Sequence, residues 1–152
     1  MMRIEFVSLK EFFGFLIIFL VVIFLEALRA FFIFGLHFNL FLIFLVFSLN
    51  YLGIFEYLIL GAGGFFIFNY LFFQNFWFFL GGCLMLLLFY FFYHKFFEKN
   101  NLFGILILIF LGEILINSFF GIKYLFSFSF LFEIFPTLIL ATIIWGSLKF
   151  FE

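Results

Sequence analysis

Residues 76–92 read FWFFLGGCLMLLLFYFF, an unbroken run without a single charge. As an α-helix the run is about 26 Å long, close to the ~30 Å hydrocarbon core of a bilayer. The alternative is a strand of a membrane barrel, which needs apolar and polar residues in alternation and only about ten of them. No alternation is present. In hydrocarbon a continuous apolar run pairs all its backbone amides internally only as a helix.

The same pattern recurs outward in both directions. Phe12 to about Phe34 forms a first run, with Glu26 and Arg29 in its second half, and Phe38–Leu52 a second, interrupted by Ser48 and Asn50. Tyr57–Phe73 is a third, Leu102–Phe120 a fifth and Phe130–Leu148 a sixth. Gly53 and Glu56 mark a tight turn, Gln74-Asn75 another, and the stretch from Tyr93 to Asn101 reads as the clearest loop. Pro136 lies inside the sixth run, so that helix either bends there or begins as an interfacial segment. The reading is an all-α, polytopic membrane bundle of six transmembrane helices in one domain covering residues 1–152.

Composition points the same way. Of 152 residues, 38 are Phe, 70% are hydrophobic and 10% are charged. A soluble domain needs about a quarter of its residues charged to cover its surface, so a soluble enzyme or free-standing binding domain is excluded. So is a disordered chain, which has too little apolar surface to collapse. Six spans of about 20 residues leave enough chain for short loops. Seven would not. Arg3 and Lys10 precede the first run as in a signal peptide, but Glu5 and Glu11 dilute the basic region and Ala27–Ala30 lacks a small-x-small cleavage pattern. The segment reads as a retained span.

Orientation follows from positive charge. Six spans put Arg3, Lys10, Lys95, Lys99 and Lys149 on one side and only Arg29 and Lys123 on the other. Both termini and the 93–101 loop are therefore expected in the cytoplasm.

A few residues stand out against the apolar background. Glu26 and Arg29, three apart, share a helix face and read as a self-paired group or a contact inside the bundle. Glu113 lies deep in the fifth run, with Asn117 at i+4 and Gly112 beside it. An ionisable group at that depth costs at least about 2.5–3.5 kcal/mol, so this face is expected to look inward, with the carboxyl protonated or hydrogen-bonded. Ion or proton transport is the competing use. Gly61, Gly63, Gly64 and the Gly81-Gly82 pair remove bulk and read as sites of close helix approach, as do the spacings Thr137/Ala141 and Thr142/Gly146. His37 and His94 read as interfacial residues. Trp77, Trp145, Tyr51, Tyr57, Tyr90, Tyr93 and Tyr124 read as an aromatic belt. Cys83 is the only cysteine, which excludes an intrachain disulfide. There is no Cys/His cluster at metal-ligand spacing, no catalytic constellation and no basic patch for nucleic acid. No enzyme activity and no cofactor is expected.

The order of features resembles the MreD family of the bacterial cell-elongation machinery. The likeness rests on Asn39-Leu40-Phe41-Leu42-Ile43-Phe44 after the first span, Gly63-Gly64-Phe65-Phe66-Ile67 in the third, Gly81-Gly82 in the fourth, and the basic loop holding Lys95 and Lys99. It spans roughly residues 12–120. Phe38 stands where the family carries proline, and Asn69 is the nearest polar residue to the family's acidic position after the glycine pair. The resemblance implies a non-enzymatic protein of the bacterial inner membrane. It would bind the bitopic MreC and help couple a filament to the peptidoglycan synthase RodA, with contact faces carrying Asn39 and Gly63/Gly64. Three other classes fit the residues alone. One is the substrate-binding membrane subunit of an energy-coupling-factor transporter, which needs a cavity lined by groups such as Glu26, Asn69 and Glu113. Another is an organelle-encoded respiratory-chain subunit, and the third is an orphan packing subunit with no separable activity.

Overall fold

The computed structural model describes residues 8–27, 39–71, 76–98, 101–118 and 128–151. All regular structure among them is helical: α1 Leu9–Ala27, α2 Leu40–Ser48, α3 Ile54–Leu71, α4 Phe76–Phe96, α5 Leu102–Ser118 and α6 Phe128–Phe151. Three of these, α3, α4 and α6, are long and apolar enough to cross a membrane by length and composition. α1 has comparable length but carries Lys10, Glu11 and Glu26, and α5 is one residue shorter than α3.

Helix starts are set by short polar side chains that supply acceptors to the first free N–H groups. At α1, Ser8 Oγ accepts from the Glu11 N–H at 3.4 Å, and Glu11 Oε2 accepts from the Ser8 N–H at 3.1 Å and its hydroxyl at 2.7 Å. That reciprocal pair is a capping box. Asn39 Oδ1 accepts from Leu42 N at 3.0 Å to open α2, and Asn101 Oδ1 accepts from Gly104 N at 3.2 Å to open α5.

The architecture is built around α2. Every residue from Phe41 to Asn50 is buried, as expected of a helix apolar on all sides. α1, α3, α5 and α6 all pack on it. α1 runs antiparallel to α2, and α3 to α4. Phe15 and Phe19 of α1 meet Tyr51 and Phe44, while Phe65 of α3 meets Phe78 of α4 and Tyr57 meets Tyr90. The outer faces are apolar too: Phe13, Ile17 and Phe24 of α1, Ile59 and Phe66 of α3, and Phe132, Phe135 and Ile139 of α6 are exposed. A buried core inside an exposed apolar mantle fits a protein whose solvent is lipid.

Several boundaries differ from the sequence expectation. The second helix is nine residues long, about 13.5 Å at 1.5 Å per residue, and ends at Ser48 rather than near Leu52. Ser48 Oγ bonds the Leu45 carbonyl at 2.7 Å, and the Leu49 and Asn50 N–H groups reach back three residues to Val46 and Phe47. Such tightened bonding terminates a helix. Glu56 lies within the first turn of α3, where a negative charge favours the helix N-terminus. The expected 93–101 loop is partly helical, because α4 continues to Phe96 to bury Tyr93. α6 runs through Pro136.

The tyrosines are also placed differently. Tyr57, Tyr90 and Tyr93 are buried within the bundle and do not form a belt, whereas Trp77 and Tyr51 are exposed. Tyr93 donates its hydroxyl to Asn50 Oδ1, which draws that ring inward past the end of α2. His94 is exposed, its ring 4.4 Å from that of Tyr90. Tyr124 and His37 lie outside the described residues.

Candidate functional site

The polar residues of the bundle gather where α2 begins. Asn39 caps α2 with its side chain, and its own N–H donates to Thr137 Oγ1 on α6 at 3.2 Å. Two positions further, the Phe41 N–H donates to Glu26 Oε1 on α1 at 3.2 Å. The Ile43 N–H closes the first backbone bond, to the Asn39 carbonyl, at 3.1 Å. The Phe41 and Leu42 amides of the central helix are thus satisfied by α1 and by its own cap, and the amide of the cap residue by α6. An acidic side chain at this end is favoured by the helix dipole as well.

Glu113 of α5 completes the cluster. Its residue exposure is 2%, and its Oε2 accepts from Asn117 Nδ2 at 3.1 Å on the same helix face. The side chains of Asn39 and Thr137 face its carboxyl, and the carboxyls of Glu133 and Glu26 lie within electrostatic range. Its second oxygen, Oε1, is buried without a hydrogen-bond partner. Thr137 Oγ1 also donates to the Glu133 carbonyl at 2.8 Å, one turn earlier on α6.

Three carboxyls from α1, α5 and α6 therefore surround one end of α2. Lys10 and Lys95 belong to the opposite end, where Phe15 meets Tyr51 and Tyr93 meets Asn50. Lys149 lies about three turns beyond Thr137 along α6. Arg29, expected to pair with Glu26, lies outside the described residues. No group of three His, Cys, Asp or Glu side chains among the described residues is arranged to hold a metal ion. The carboxyls approach Glu113 from different helices without converging as ligands on one point.

The glycines divide by position. A Cβ on Gly61 would come within 2.6 Å of Leu86, one on Gly82 within 2.5 Å of Phe65, and one on Gly112 within 2.5 Å of Leu42. Gly64 would drive a Cβ into the Phe41 ring and close to Phe19. Gly63 faces open space. On α6, Thr137 and Ala141 are buried, whereas Thr142 is exposed and Gly146 has nothing near its Cβ position. Only the first of the two small-residue spacings packs within the bundle.

The structure thus brings Glu26, Asn39, Glu113 and Asn117 into one cluster, and places Gly61 and Gly64 at close helix crossings. Asn69 is half-buried on α3, while the groups acting on the Glu113 carboxyl come from α1, α2 and α6. Glu133 and Thr137 are the members that sequence reading did not assign to this cluster. The signal available was their i, i+4 spacing beside Pro136, the same spacing that links Glu113 to Asn117. No family model, curated protein or solved structure matches the chain.

Proposed function

We propose that the chain is a six-span, non-enzymatic component of a bacterial inner-membrane assembly, working as an MreD-like scaffold that holds an MreC-like bitopic protein and a RodA-like wall synthase. In this reading both termini are cytoplasmic. The nine-residue α2 needs no hydrophobic match to the bilayer, because the other helices shield it from lipid.

The observation that supports the reading is the packing of Phe41 against Gly64. It joins the two stretches on which the family resemblance rests, one following Asn39 and the other containing Gly63-Gly64. The buried polar groups serve helix ends and the outer surface is apolar, which suits a protein acting through contacts with other membrane proteins. Asn39 and Gly64 are used inside the bundle, so a partner is assigned to the other face of α3. Ile59, Gly63, Phe66 and Tyr70 follow one another at helical spacing there; Ile59, Phe66 and Tyr70 are exposed, and Gly63 leaves a notch between them.

The test is capture of an MreC-like partner from detergent by the tagged protein. Wild type retains the partner, and Gly63→Leu loses it while remaining monodisperse. A folded wild-type protein that captures no such partner removes the elongation-machinery reading.

A further inference from the structure

We draw no further inference here: the strongest candidate, the carboxyl cluster of Glu26, Glu113 and Glu133 around the start of α2, carries nothing because Arg29, His37 and Lys123, whose charges bear on what it binds, lie outside the described residues.

Discussion

The Asn39 amide donates to the Thr137 hydroxyl oxygen at 3.2 Å, joining residues 98 positions apart. Through it the start of the central helix is fixed to α6, and the same hydroxyl faces Glu113. Thr137→Val keeps the shape and removes the acceptor, leaving a half-buried N–H unsatisfied. The expected loss is about 1–3 kcal/mol, read as a lowered midpoint for thermal unfolding in detergent. Thr137→Ser recovers most of it. Equal behaviour of the two variants would show that the hydroxyl contributes nothing.

Adjacent glycines should respond with opposite sign. Gly63→Ala meets open space and gains helix propensity, stabilising by up to about 1 kcal/mol. Gly64→Ala pushes on the ring of Phe41, which is itself packed by Phe65 and Phe68 with centroids 5.3 and 4.9 Å away. Overpacking of that kind costs about 1–3 kcal/mol. The same unfolding assay, applied to both variants, measures the difference.

At the first turn of α1, hydrogen bonds from the Ser8 hydroxyl and then the Ser8 N–H hold the Glu11 carboxyl below its usual value of 4.5. Because the folded value is the depressed one, the stabilisation is present at pH well above 4.5. It is lost as pH falls through the folded value. Protection of the Ser8 and Glu11 amides, taken relative to the intrinsic exchange rate at each pH, should therefore fall on acidification, and Glu11→Gln should remove that pH dependence.

Six spans require both ends of the chain on the same side of the membrane. Single cysteines introduced near the N- and C-termini, with Cys83 replaced by Ala, should both react with an impermeant thiol reagent from the cytoplasmic side only. Labelling from opposite sides would reduce or increase the number of spans by one.

Much of the helix pattern was readable in advance because its cause is local. The runs around α3, α4, α5 and α6 announce themselves through unbroken apolarity, and their centres lie where expected. The ends were less legible. α2 stops at Ser48 through i−3 backbone bonding, and α4 persists through Tyr93 because that ring has a distant partner in Asn50. Neither cause is visible in the residues next to the boundary. The candidate site divides the same way. Glu113 and Asn117 are one turn apart and identifiable as a pair, whereas Glu133 and Thr137 join them only by the crossing of α6 over the start of α2.

From composition and periodicity alone the chain is a helical protein suited to lipid, since 70% apolar residues in long runs leave backbone amides no partners except one another. Tertiary structure decided which helix became the centre, which tyrosines turned inward, that Gly64 is filled while Gly63 stays open, and that three carboxyls gather at one end of the central helix. Each of those outcomes depends on distances between segments far apart in the chain, and in a sequence where nearly every helix face is apolar no polar stripe marks the inward side beforehand.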